Sequence, residues 1–401
     1  MVQALLLKNV RPMGRETVDV LIRDAVIQRM EPNIIAEGDL VTVLDGRNQL
    51  LLPGLVNAHA HMDKNLLGYP WYKNEVPAVT IHDFVETERR VQRELDVSVQ
   101  TQSMRQAQAA IATGTTHIRT HIDVDAGVGL ANWEGMLATR EAFKDRLSFQ
   151  LIAFPQGGML VRPGSVELLE EAVKMGADGI GGLDPSTMDR DPVRHLDTIF
   201  GIADRYGVEV DIHLHEPGTL GAFAVELIAE RTRALSLQGR VTISHVFCLG
   251  MIDDATLNRI INLLLENEIT IMSLGSGNSP FPPLKRLYEA GVSLCTGTDG
   301  TRDTWGPYNT VDMLDRVRLL GYRCGFRQDE DVEMLLQIAT YGGAKVMGDS
   351  QYGLAVGKRA DLVVVPGDTP TEAVMTQPPR TFVIQNGRLV AADGKTLDPN
   401  D

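Results

Sequence analysis

Short apolar runs that end on polar residues recur along the middle of this chain. Leu55–His61, Thr116–Asp125, Ser148–Gln156, Gly179–Pro185, Glu209–Glu216, Val241–Phe247, Ile269–Leu274 and Ser293–Gly300 are of this kind. After the second they return roughly every 30 residues, a spacing that leaves room for a helix and two connections. Helical periodicity fills the gaps: Val166, Leu169 and Val173 share one face, with Ser165 expected as N-cap and Gly176 as the residue past the C-cap. Alternating βα units of this number specify a parallel barrel or a doubly wound sheet. Gly179–Asp184 reads GIGGLD and lacks the third glycine of a dinucleotide fingerprint, and no phosphate-binding P-loop motif occurs. Because polar residues close almost every strand, the expected fold is α/β, a (β/α)8 TIM-type barrel with its chemistry at the carboxyl ends of the strands.

The two ends of the chain have a different texture. Ala4–Lys8, Val18–Ile22, Val26–Met30 and Leu40–Leu44 alternate with turn residues such as Gly14, Asp24, Pro32 and Gly38. Ala360–Val365, Thr381–Gln385 and Arg388–Ala391 repeat that pattern near the other end, and Asn386-Gly387 is a hairpin signal because both positions tolerate positive φ. The expected organisation is therefore a composite β-sandwich domain from residues 1–52 and 351–401, interrupted by the barrel at 53–350. The gap between the first two barrel strands is long and carries Gly68-Tyr69-Pro70-Trp71-Tyr72 and a charged helical stretch around Phe84–Leu95. An insertion at about 62–97 on the catalytic face reads as a lid, or as a packing elaboration of the barrel.

Composition narrows the class of partner. With 401 residues, 53 acidic against 38 basic side chains and a formal charge of −15, the chain lacks the basic surface a nucleic acid requires. No run of 18 apolar residues occurs, so no membrane span is expected, and the amino-terminal stretch does not read as a signal peptide. Three scattered cysteines, Cys248, Cys295 and Cys324, make no disulfide framework and suit a reducing cytoplasm. These features point to a soluble cytoplasmic protein acting on small molecules, and leave homo-oligomerisation open.

The histidines sharpen this. Of nine in the chain, His59 and His61 end the first barrel strand two residues apart, so both imidazoles face the same side. The fifth strand ends Asp211-Ile212-His213-Leu214-His215-Glu216, the sixth contains Ser244-His245 and the eighth ends Thr298-Asp299-Gly300. Strand ends converge on a barrel axis, so His59, His61, His213 and Asp299 can share one centre. Three nitrogens and a carboxylate oxygen, with one position open to water, suit Zn²⁺ or Fe²⁺. Packing alone is a poor account of so many buried polar groups, because each costs free energy unless it finds a partner.

The segments LPGLVNAHAHMDK (52–64), THIRTHIDVD (116–125), LIAFPQGG (151–158), DIHLHE (211–216), RVTISHVF (240–247), GTDGTRDTWGP (297–307) and GKRADLVVV (357–365) span nearly the whole chain. In that order they resemble the amidohydrolase superfamily, in particular its bacterial cytosine deaminase branch and, more closely, the isopropylaminohydrolases of triazine degradation. The resemblance implies one divalent metal ion per chain, Zn or Fe, on His59, His61, His213 and Asp299. The fourth strand ends Gly182-Leu183-Asp184-Pro185 without the bridging lysine of binuclear relatives, which leaves Asp184 as the one candidate bridge. The implied reaction is attack of activated water on the ring carbon bearing the amino group. His245 and Asp299 handle the water proton, and Glu216 protonates the ring nitrogen and the departing amine. Capping of the following helix is the alternative role for Glu216.

For substrate binding, the family pattern points to Gln156 at the end of the third strand, whose amide suits a lactam edge. It also points to Trp305 as a stacking platform, for which core packing is the alternative, and to Lys64. His215 also lies near the mouth, whereas His121 is expected behind the ligands. Two departures blur the substrate. Gly300 stands where cytosine deaminases carry a second, substrate-contacting aspartate, and Glu216 stands where the isopropylaminohydrolase pattern has aspartate. The expected function is thus a metal-dependent hydrolytic deaminase of an amino-substituted N-heterocycle: a cytosine-like pyrimidine first, or an aminotriazine or pterin. N-alkylaminohydrolysis of s-triazines is the alternative, and a ring-opening cyclic-amide hydrolase is a more distant one.

Overall fold

The computed structural model describes residues 4–35, 41–75, 80–277 and 279–398. Gly38 and Leu40 of the terminal strand pattern, and residues 76–79 of the 62–97 insertion, lie outside the described residues. The chain opens with β1 (Ala4–Pro12), β2 (Val18–Arg23), β3 (Val26–Glu31) and β4 (Val41–Pro53). The next strands are β5 (Leu55–His61), β6 (Thr115–Asp123), β7 (Ser148–Phe154), β8 (Gly179–Leu183), β9 (Glu209–Leu214), β10 (Val241–His245) and β11 (Thr270–Met272). Two short strands, β12 (Leu294–Cys295) and β13 (Asp299–Gly300), follow. Each strand from β5 to β12 pairs in parallel with the next, and β13 pairs in parallel with β5. The segment 294–300 thus joins the last strand to the first, and the fold is an α/β, TIM-like barrel. β5 and β6 are buried at every position, as expected of parallel strands covered on both faces.

The expected single strand Ser293–Gly300 is broken into β12 and β13. Asn57 of β5 explains the break: its side-chain oxygen accepts from Thr298 N at 3.0 Å and its amide donates to Thr298 Oγ1 at 2.8 Å. Gly297 sits so close to β5 that a Cβ there would lie 2.3 Å from His59 O. Side-chain bonds and backbone contact replace the regular ladder, and Asp299 emerges from this distortion at φ 61°.

The chain closes with β14 (Leu362–Val365), β15 (Phe382–Gln385), β16 (Arg388–Ala392) and β17 (Lys395–Thr396). These join β1–β4 in one eight-stranded sheet of order β17-β16-β15-β14-β4-β1-β2-β3. Asn386 (φ 49°) and Gly387 (φ 73°) form the turn between β15 and β16, in the left-handed conformations this tight hairpin requires. Alternate residues of this sheet, including Leu5, Leu7, Val20, Ile22, Leu362 and Val364, pack into one core. The far larger core lies between the barrel strands and their helices.

In the long connection after β5, α1 (Ile81–Glu94) is followed by α2 (Val99–Ala112). Thr80 and Asp83 form a reciprocal capping box at the start of α1. After α3 (Ala131–Phe143) comes α4 (Ser165–Lys174), which corrects one expectation: Gly164 at φ 93° is its N-cap, and Ser165 is its first residue. The Ser165 hydroxyl is drawn instead to Ala126 N, 3.0 Å away. Gly176 does stand just past the C-cap Met175, at φ 100°. Among the described residues no helix is long and apolar enough to cross a membrane.

Candidate active site

β5, β9 and β13 carry the ligand candidates to the carboxyl end of the barrel. His61 Nε2 lies 3.3 Å from His213 Nε2 and 3.3 Å from Asp299 Oδ1, and His59 Nε2 is 3.8 Å from the same oxygen. Two ligands of one tetrahedral zinc lie about 3.4 Å apart, so the spacing fits a shared ion. The rings are buried, and burial first of all holds the imidazoles of His59, His61 and His213 well below the usual histidine range. They are therefore neutral, as ligands must be. Burial works against the charge on Asp299, yet the surrounding His245, His59 and Lys64 hold its carboxyl below the usual range.

The tautomer of His59 is set from behind. Ser244 Oγ donates to Asp211 Oδ1 at 2.7 Å, which leaves it to accept from His59 Nδ1 at 3.2 Å. A proton on Nδ1 leaves the lone pair on Nε2, and that buried atom has no hydrogen-bond partner among the described residues. An orphaned acceptor among neutral imidazoles and a carboxylate is the donor set a divalent cation needs, and the residues fit the metal. His121 comes nearer than expected: it lies with His59, His61 and His213 in one group whose ligand atoms are within 4.8 Å of one another. Its Nε2 is 3.2 Å from Asp211 Oδ2, so it belongs equally to the carboxylate behind the site.

Further buried groups lie beside these ligand candidates. His245 sits at φ 71°, a conformation that costs a non-glycine residue on the order of 1–2 kcal/mol and is tolerated where the surroundings dictate it. Burial, with His215 beside it, pushes its imidazole down to about 3, and its Nδ1 has no partner. His215 stacks on it at 4.4 Å between centroids. There burial favours the neutral ring, but Asp184 overcomes this and raises the His215 pKa, through Nδ1 at 2.9 Å from Asp184 Oδ2. Asp184, at φ 41°, also accepts from His215 N at 2.6 Å, so its two oxygens are engaged by His215. Glu216 is turned to the β8 loop: Oε1 accepts from Ser186 N at 2.7 Å and Thr187 N at 2.8 Å. Its Oε2 is buried without a hydrogen-bond partner among the described residues, and burial raises its pKa, with Asp184 adding to the rise.

The substrate-side candidates form one network. Lys64 Nζ donates to Gln156 Oε1 at 2.8 Å, lies 3.2 Å from Glu88 Oε2, and sits 4.4 Å over the Trp305 ring. Glu88, on α1, accepts from Gln156 Nε2 at 2.9 Å and from Trp305 Nε1 at 2.5 Å. Phe84, one turn earlier, stacks on Trp305 at 5.0 Å. Lys64, Gln156 and Trp305 border a cavity of about 640 Å³ that His61, His213, His245 and Asp299 also line. Sequence reasoning did not single out Glu88. The signal was there: Ile81, Phe84, Val85, Glu88 and Val91 follow helical spacing, and a carboxylate within an apolar stripe needs a partner.

Comparison with known proteins agrees with this architecture. Residues 89–397 match the model of the Amidohydrolase family. The chain is 31% identical over 397 residues to N-isopropylammelide isopropyl amidohydrolase of Pseudomonas sp. (strain ADP), covering 97% of each chain. The crystal structure of N-isopropylammelide isopropylaminohydrolase from Burkholderia multivorans ATCC 17616 superimposes with a TM-score of 0.95 at 40% identity, over 98% of this chain and 100% of that one. The crystal structure of 5-methylcytosine deaminase from Klebsiella pneumoniae liganded with 5-fluorocytosine shares the fold, with a TM-score of 0.85 at 24% identity over 98% of each chain. With its strand-end histidines, its barrel and its full-length relatives in agreement, this chain belongs to the amidohydrolase family.

Proposed function

We propose that this protein is a hydrolase that cleaves the exocyclic C–N bond of an amino-substituted nitrogen heterocycle, releasing a small alkylamine or ammonia. His59, His61, His213 and Asp299 would hold one divalent ion, Zn²⁺ or Fe²⁺. When bound, the ion supplies water whose pKa is lowered towards about 7. Asp299 and the neutral His245 would serve as the proton acceptors on this side of the cavity. Glu216, whose carboxyl burial pushes above the usual range, would donate to the ring nitrogen, and His215, whose pKa Asp184 raises, would pass a proton to the departing amine. One C–O bond forms, one C–N bond breaks, and the amine leaves with a proton from water. Gln156 and Lys64 would hold the ring's polar edge over Trp305. The terminal sheet, whose two halves bury a common core, would act as a sandwich-type support.

The observation that carries this reading is the buried His59 Nε2, without a hydrogen-bond partner among the described residues, together with His61 Nε2 and His213 Nε2, which lie 3.3 Å apart beside Asp299. Two relatives whose names specify N-isopropylammelide, similar over nearly the full chain, favour an alkylamino-s-triazine. Glutamate at 216, the choice of the cytosine deaminase pattern, favours a cytosine-like pyrimidine as the second reading. The free thiols support a cytoplasmic setting, and the acidic balance argues against a nucleic-acid partner. The test is amine release by the metal-loaded protein from N-isopropylammelide, cytosine and a pterin. Isopropylamine from the first supports the triazine reading, ammonia from the second the pyrimidine one, and no release from any rejects both.

A further inference from the structure

Gly300 lacks a side chain, yet the space a side chain would fill is occupied. A Cβ built there would lie 1.7 Å from Asp303 Oδ2 and 2.8 Å from Asp303 Cγ. The Asp303 carboxylate therefore lies against the Cα of Gly300, immediately beside Asp299. Its Oδ1 accepts from Trp305 N at 2.8 Å, which fixes the rotamer. Its Oδ2 is buried and has no hydrogen-bond partner among the described residues, although the residue lines the cavity together with Lys64, Gln156 and Trp305. A buried carboxylate oxygen without a donor is costly, and natural proteins keep one chiefly where a ligand will supply the donor.

We infer that Asp303 is a substrate-reading carboxylate, its Oδ2 accepting a hydrogen bond from an N–H of the bound heterocycle, and that glycine at 300 is required because it makes room for that carboxylate. This rests on the proposed heterocycle reading and adds to it a specificity residue. Burial raises the Asp303 pKa to about 6 against the pull of Lys64, so the group is ionised at neutral pH and serves as an acceptor. Together the polar wall offers a cation at Lys64, an amide at Gln156 and an anion at Asp303. That combination suits a planar ring with both carbonyl and N–H groups at its edge, the lactam form of an oxidised aminotriazine or aminopyrimidine.

The test is calorimetric titration of the metal-loaded protein with ammelide, an amino-dihydroxy-s-triazine, comparing wild type with Asp303→Ala and Gly300→Ala, with metal content measured on each sample. Asp303→Ala removes the acceptor, whereas Gly300→Ala keeps it and pushes it away. Both are expected to weaken binding roughly 10- to 100-fold, the loss of one charge-assisted hydrogen bond, with metal content unchanged. Asp303→Asn, which preserves shape, should fall between them and wild type, and it decides the matter if the alanine variants do not fold. Variants that bind as wild type does overturn this inference alone, as does weakening that tracks loss of metal. A wild type that binds no ring overturns it together with the proposed function.

Discussion

Two ends of the same barrel carry clusters of histidine and aspartate whose ligand atoms lie close together, and the two differ in how far those atoms already have partners. At the opening, His59, His61, His213 and Asp299 converge, and His59 Nε2 has no hydrogen-bond partner among the described residues. At the opposite end, His117, Asp349 and Asp361 are equally close, but Arg359 stands among them. His117 Nε2 meets the Arg359 guanidinium at 2.8 Å and Nδ1 meets Thr116 Oγ1 at 2.8 Å. Arg359 Nε donates to Asp361 Oδ2 at 2.6 Å and a terminal nitrogen donates to Asp349. The lower cluster answers its own charges and ties the barrel to the strand leading into the terminal sheet. Residue identity is thus a weaker sign of a site than whether the lone pairs already have partners.

Substituting one member of each cluster should separate them most sharply. His61→Ala is expected to lose bound metal and to lower turnover by more than the roughly 100-fold that marks loss of a supporting partner. His117→Ala should keep metal and turnover and lose only stability, by about 1–3 kcal/mol in denaturant unfolding. Next in size, Ser244→Ala frees the His59 tautomer and should weaken metal affinity roughly 10- to 100-fold, read by competition with a chelator. Glu88→Gln removes the charge that gathers Lys64, Gln156 and Trp305. It should raise KM roughly tenfold with metal content intact, the cost of one charge-assisted contact.

The remaining effect, read in stability and not in turnover, concerns acid. His245 is held at about 3 in the folded chain against 6.5 for an unperturbed histidine, so the unfolded chain binds this proton first as pH falls. Stability of the chelator-treated protein should therefore begin to decline as pH drops below about 6.5. Asp349, held below its ordinary value by His117 and Arg359 against the cost of burial, contributes stability above about pH 4 and loses it only below that. Thermal unfolding between pH 8 and pH 3 checks the order: the opening of the barrel should weaken first and the lower cluster last.

Much of this was legible in the sequence, for a reason the strands share. A barrel strand is buried on both faces until its last residues, so apolar runs ending in His-Ala-His or His-Leu-His announce both the strand and the site. What stayed hidden depends on contacts between distant segments. The break in the last strand comes from the Asn57 side chain, the N-cap of α4 shifts because Ser165 is claimed by Ala126, and Asp184 is claimed by His215. Asp303 is legible only once the space above Gly300 is known, because no periodicity reports an absent Cβ. Glu88 was hidden differently, as one charge within a charged helix whose apolar stripe shows that it faces inward.

The central claim is that the imidazoles of His59, His61 and His213 and the carboxylate of Asp299, converging at the barrel opening, form a single functional metal centre. Metal content per chain, measured by elemental analysis on wild type, His61→Ala and His117→Ala and set against amine release, tests it most directly. The account predicts one equivalent of zinc or iron in wild type and His117→Ala, with amine release in both, and neither metal nor release in His61→Ala. Two equivalents in wild type, or amine release that survives complete removal of metal, would contradict it.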